Sequence, residues 1–281
     1  MKCQRTERLI RITSKFLSAP SRLVSLTGLA EEFGVSKTVI SDDVSMVNDA
    51  LSSEGYGHLN VDRGRTGGAF YVPSLSEERR AEILSEIAED LSDPGRLLPG
   101  GLIYYADILF NPVYTDLLGL TFASDFQHLH PTLIMTSEVK GIPLGLATAR
   151  AFGVPLAVCR FRNRASDGPA VCVPYPTQSG EVRSMYMCSK NLCSLDKIIL
   201  IDDFMHGGST AAGMAQVVHE FRAELLGIGV LSPWTSLRKK PSGIITLCSN
   251  FPCRTANASL SAKRLRIPAV ERTQLFPFRA G

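Results

Sequence analysis

Two adjacent carboxylates, Asp202 and Asp203, close the apolar run Ile198-Ile199-Leu200-Ile201 and open into Phe204-Met205-His206-Gly207-Gly208-Ser209-Thr210. An unbroken aliphatic run of this length fits a buried strand. The small residues after it suit a turn into a helix, whose first backbone N–H groups can hold an anion. Paired acids suit a vicinal diol and the loop suits a phosphate, so a ribose 5-phosphate satisfies both. The competing reading is a structural turn with solvated acids. Glycine turns alone are common, but the apolar strand, acid pair, loop and helix in succession are far more specific.

A second loop, Thr136-Ser137-Glu138-Val139-Lys140-Gly141-Ile142-Pro143, follows the apolar run Thr132-Leu133-Ile134-Met135. Lys140 and the neighbouring amides could hold a pyrophosphate, or Lys140 could simply be a surface cation ahead of a helix. Arg160-Phe161-Arg162-Asn163-Arg164 after the next strand combines cations with an aromatic, as a hood over a base would, or is a solvated charge run.

These groups need a scaffold. Apolar runs at 132–135, 156–159, 198–201 and 226–231 alternate with helical segments near Pro143 to Phe152 and Thr210 to Leu225. That is the rhythm of an α/β domain with a mainly parallel sheet covered on both faces. Ahead of it, Glu7 to Ala19 is amphipathic, with Leu9, Ile12, Thr13, Phe16 and Leu17 on one face and Arg5, Arg8, Arg11 and Lys15 at or near the other. Thr27 is the expected cap of a second helix ending at Gly34, and Ser36 that of a third over Lys37 to Leu51. Strands 58–61 and 69–72 flank a tip carrying Arg63 and Arg65. Ser76 to Leu91 is an acidic helix that connects the two parts or forms a dimer contact. The expected domains are therefore 1–75, a connecting helix over 76–98, and 99–231.

With 281 residues, 44% of them hydrophobic, the chain can bury two cores. Thirty Lys and Arg against 27 Asp and Glu leave a net +3, which excludes a polyelectrolyte. Residues 1–75 hold nine cations and eight acids, so only local placement can decide nucleic-acid binding there. No run approaches the roughly 20 apolar residues of a membrane span, and a cytoplasmic protein without a membrane partner is expected. Seven cysteines without CxxC pairs suggest neither a disulfide framework nor a zinc ribbon, so no metal site is assigned.

The acid pair and its loop resemble the phosphoribosyl pyrophosphate (PRPP) motif of type I phosphoribosyltransferases. The resemblance implies that Asp202 and Asp203 take the ribose hydroxyls, His206, Gly207, Gly208, Ser209 and Thr210 the 5-phosphate, and Lys140 the pyrophosphate. It places a flexible closing loop at Tyr175 to Met185, including Ser179, Gly180 and Arg183. The family usually has two adjacent glycines just before the last Thr or Ser, and here the second is Ser209. A positive φ at a non-glycine residue would cost about 1 kcal/mol or more, which the pair Gly207-Gly208 could partly offset.

The front region resembles a winged helix-turn-helix, the other reading being a small interaction domain. The resemblance implies that Ser36, Lys37, Thr38 and Ser41 enter the major groove, with Arg63 and Arg65 on the wing and Arg5 and Arg8 as further DNA contacts. Together with Leu98-Pro99-Gly100-Gly101, Asp107-Ile108-Leu109, Lys140-Gly141-Ile142-Pro143 and Asp202-Asp203-Phe204-Met205, this resembles the bacterial purine operon repressors over about residues 5–231. Membership implies a homodimeric repressor without transferase activity, bound to a double-stranded operator. Its PRPP inducer competes with guanosine tetraphosphate for one pocket, and Mg²⁺ accompanies PRPP in the related enzymes. The alternatives are a purine phosphoribosyltransferase with an accessory domain, and a degraded binding module lacking both activities.

Residues 232–281 stand apart, with nine Lys and Arg against the single acid Glu271. They read either as a nucleic-acid-binding tail or, the preferred reading, as a frameshift product. With permitted codons, a shifted frame of 238–255 gives a helix-then-strand pattern. On that reading the chain lacks a terminal helix and a sheet strand, which exposes a sheet edge and threatens stability or dimerisation.

Overall fold

Local capping sets the first module. The computed structural model describes residues 4–62, 64, 67–99, 102–177, 180–203 and 208–231, with the backbone of 245–248. The chain begins with α1 (Arg5–Ser18), β1 (Val24–Ser25), α2 (Leu26–Phe33), α3 (Lys37–Ser53), β2 (Gly57–Asp62) and β3 (Gly68–Pro73). Ser36 caps α3 by accepting the Val39 N–H at 3.3 Å. The cap of α2 is Ser25, which accepts the Gly28 N–H at 3.2 Å, and not Thr27, which already lies inside the helix. Gly34 ends α2 at φ 65°, a conformation that costs glycine little. The three strands form an antiparallel sheet in the order β1-β3-β2. Ile12, Phe16, Leu29, Phe33, Ile40, Val44 and Val47 close against Leu59, Ala69 and Tyr71 of that sheet. This is a winged helix-turn-helix arrangement.

The second module comprises α4 (Glu77–Leu91), β4 (Leu97–Leu98), β5 (Leu102–Ile103), α5 (Ala106–Leu109), α6 (Pro112–Phe126), β6 (Leu133–Ser137), α7 (Gly141–Phe152), β7 (Leu156–Cys159), β8 (Ala170–Pro176), β9 (Val182–Cys188), β10 (Lys197–Asp202), α8 (Ser209–Glu220), β11 (Glu224–Val230) and β12 (Ile245–Cys248). The helix expected to be a connector, α4, buries Ile83, Leu84, Ile87 and Leu91 in the same core as Leu118 and Phe122 of α6. Arg80 pairs with Asp125 of α6 at 2.7 Å. Each buried aliphatic side chain contributes about 1.5–3 kcal/mol, so α4 is an integral part of the second core.

The main sheet runs β12-β11-β10-β6-β7, and β11, β10, β6 and β7 are mutually parallel. Ile198 and Leu200 face a core formed with α8, β8 and β9, while Ile199 and Ile201 face one formed with α4, α6 and α7. Burial on both sides explains the absence of a polar residue in that run. The edge expected to be exposed is paired: β12 lies antiparallel to β11, with Gly227 opposite Cys248 and Val230 opposite Ile245. Residues 232–244 and 249–281 lie outside the described residues, and so do the side chains of 245–248. Because β10 and β6 are parallel neighbours, their carboxyl ends emerge side by side, the usual location of ligand sites in such sheets.

Candidate functional site

At the end of β10 the Asp202 side chain is buried, and the Ser137 hydroxyl at the end of β6 donates to its Oδ1 at 3.1 Å. Desolvation, reinforced by the neighbouring Asp203 charge, pushes the Asp202 carboxyl up to about 7. Asp203 is only half-buried and accepts a hydrogen bond from the Tyr105 hydroxyl at 2.7 Å. Burial, and then the bond to Asp203, raise the Tyr105 phenol well above its ordinary range, which keeps it a donor. The Lys140 ammonium lies 4.3 Å from the Tyr105 ring centroid, a cation–π contact.

The loop between β6 and α7 supplies the other side of the site. A Cβ on Gly141 would lie 2.6 Å from Asp202 Oδ1 and would collide with Thr136 Oγ1, so only glycine lets α7 begin this close to the acid. Among the described residues, Thr136 Oγ1 is buried without a hydrogen-bond partner. The Glu138–Val139 peptide bond is cis. Glu138 turns towards the segment after β7: its Oε1 accepts the Phe161 N–H at 2.7 Å and its Oε2 accepts from Arg160 at 3.3 Å. Arg160 also pairs with Asp167 at 3.0 Å, so this cation is neutralised within the fold. Phe161 remains 39% exposed beside it.

Ahead of α8 the positive φ expected at Ser209 falls instead on Gly208, at 75°, and Ser209 is the first residue of α8. The substitution therefore carries no backbone penalty, and the α8 N-terminus keeps its donors. Ser209 and Thr210 sit in the first turn, half-buried. His206 and Gly207 lie outside the described residues, as does Ser179. The anticipated closing loop is an antiparallel hairpin of β8 and β9 whose strands pair from Ala170–Cys188 to Pro176–Val182. Among the described residues, no group of three or more His, Cys, Asp and Glu side chains is arranged to hold a metal ion. No helix among them is long and apolar enough to cross a membrane.

In the first module Ser36, Lys37, Thr38 and Ser41 are all exposed on one end of α3. A Cβ on Gly67 would lie 3.2 Å from Lys37 Nζ, so the start of α3 and the base of the β2–β3 hairpin share one surface. Arg63 and Arg65 lie outside the described residues. Arg8 requires correction as a surface contact. Its side chain is 7% exposed and its Nε lies 2.5 Å from Asp43 Oδ2 inside the module. Arg5 pairs with the other Asp43 oxygen at 3.2 Å yet stays 58% exposed. Tyr105 and Asp43, and the contacts of Ser137 and Glu138, escape sequence reasoning because the partners are remote in the chain. Tyr105 and Asp203, for example, are 98 positions apart.

Residues 4–73 match the family described as bacterial purine repressor, N-terminal. The purine biosynthesis transcriptional repressor PurR of Bacillus subtilis is 33% identical over 232 residues, spanning 82% of this chain and 81% of that protein. This chain belongs to the bacterial PurR family. Within the same family, the purine biosynthesis transcriptional activator PurR of Lactococcus lactis subsp. lactis is 32% identical over 228 residues, covering 81% of this chain and 84% of its own. The xanthine phosphoribosyltransferase of Deinococcus deserti is 35% identical over 141 residues, 48% of this chain and 72% of the enzyme. PurR membership therefore joins a family-specific front module to a phosphoribosyltransferase-like one.

Proposed function

We propose that this chain is a DNA-binding repressor of purine genes, induced by PRPP at the Asp202–Asp203 site. One observation carries the reading: an acid pair, one member buried and one half-buried, at a parallel-strand end beside a glycine-opened helix and Lys140 shares a chain with an exposed polar helix start. Asp202 and Asp203 accept the ribose hydroxyls, the α8 N-terminus receives the 5-phosphate with Gly208, Ser209 and Thr210, and Lys140 receives the pyrophosphate. His206 and Gly207 complete the phosphate loop. Ser36, Lys37, Thr38 and Ser41 read the major groove, while Arg5, Arg63 and Arg65 contact phosphates. The protein acts as a homodimer, and guanosine tetraphosphate competes with PRPP for the pocket.

The mechanism is linkage. PRPP weakens operator binding only if it binds the DNA-incompetent arrangement better, and DNA must then weaken PRPP by the same factor. A mobility-shift titration tests the reading, with operator release by PRPP expected and an unchanged shift counting against it.

Similarity to a xanthine phosphoribosyltransferase over 141 residues favours one second reading, a purine phosphoribosyltransferase with an accessory domain. PRPP-dependent consumption of xanthine, guanine or adenine would select that enzyme over the regulator. The activator activity named for the Lactococcus lactis relative makes the direction of control a separate measurement, by transcription from a purine promoter in vitro.

A further inference from the structure

In the structure the two groups assigned to the sugar and the pyrophosphate both contact the same protein side chain. The Tyr105 hydroxyl donates to Asp203 at 2.7 Å, and Lys140 sits over the ring of the same tyrosine at 4.3 Å. One side chain thus engages both the carboxylate and the cation that the proposed ribosyl pyrophosphate would use. We propose that Tyr105 is an internal competitor that holds Asp203 and Lys140 in a closed pair until a ligand displaces it. This inference rests on the assignment of the acid pair and Lys140 to a sugar-phosphate site.

The backbone around Tyr105 is fixed, and its half-buried side chain packs against the second core. Ile108 and Leu109 of α5 are buried, the Tyr104 N–H donates to the Arg96 carbonyl at 2.8 Å, and Arg96 pairs with Asp107 at 2.7 Å. Opening therefore needs a rotation of one side chain, with no unfolding of the segment. Burial and the bond to Asp203 keep the phenol protonated across the physiological range, so a competing acceptor and anion open the pair. The apparent dissociation constant equals the intrinsic one divided by the open fraction. Closure consequently weakens every ligand that needs Asp203 by one common factor and sets the ligand concentration at which the protein responds.

The test is calorimetric titration of PRPP into the full-length protein and into Tyr105→Phe and Asp203→Ala. Phe keeps the ring but removes the donor, so about fivefold tighter PRPP binding than wild type is expected, alongside lost binding in Asp203→Ala. Unchanged or weaker binding by a folded Tyr105→Phe, with wild type binding normally, would overturn the competitor. No heat from wild type would instead overturn the site assignment on which it stands. If Tyr105→Phe fails to fold, Tyr105→Leu, which also frees Lys140, is read against the same two outcomes.

Discussion

Among the described residues each module buries one carboxylate, and the two are treated differently. Asp43 in the winged-helix module is fully buried and held by two guanidinium groups, from Arg8 at 2.5 Å and Arg5 at 3.2 Å. Asp202 in the sheet module is 5% exposed and bonded to a serine hydroxyl, and its pKa is raised first by burial and then by the carboxylate beside it. A buried charge answered by cations fastens two helices together. A buried acid answered by a hydroxyl and crowded by another acid remains short of partners, and that is the condition in which a diol or another donor gains most by binding.

The first way to break this contrast is Asp43→Ala, which leaves Arg8 buried and unpaired. It should cost about 3–5 kcal/mol in urea or thermal unfolding, the largest effect expected. A loss below 1 kcal/mol would mean that the Arg8–Asp43 pair does not hold α1 to α3. In the other module, Asp203→Ala should weaken PRPP at least tenfold in calorimetry while leaving operator affinity within about twofold, which tenfold loss corresponds to about 1.4 kcal/mol. Equal damage to both activities would erase the distinction between the regions.

Asp202→Asn sharpens the comparison through pH. The folded state holds the Asp202 proton up to about pH 7, above the ordinary carboxylate range, so it binds more protons than the unfolded chain in between. Stability due to this group therefore falls as pH rises through that window, and it is lowest above pH 7. Asp202→Asn should raise stability by about 2 kcal/mol at pH 8 and by much less at pH 5, read as the difference between two denaturation series. A pH-independent effect would show that Asp202 is already compensated. The smallest effect belongs to Lys37→Ala, which should lower the salt slope of operator binding by about one without moving the melting temperature.

Much of this architecture is legible in the sequence because its signals are local. Ser36, Gly34 and the aliphatic run before Asp202 each act on neighbours within a few residues, and the strands and helices follow. The same holds for the acid pair, Lys140 and the polar start of α3. What is not legible depends on approach in space. Arg8 reads as a surface cation until Asp43 of α3 packs against it, 35 positions away. Thr27 looks like a cap until β1 brings Ser25 to the start of α2. Ser209 looks strained until the turn places its positive φ on Gly208. Tyr105 carries no motif, and only the fold delivers it to Asp203.

The central claim is that the sugar-phosphate site and the DNA-reading face are coupled. Titrating PRPP into free protein and into protein saturated with operator duplex measures this directly. The account predicts weaker PRPP binding in the complex, by the same factor with which PRPP weakens the operator. Identical PRPP affinity in the two samples would contradict it.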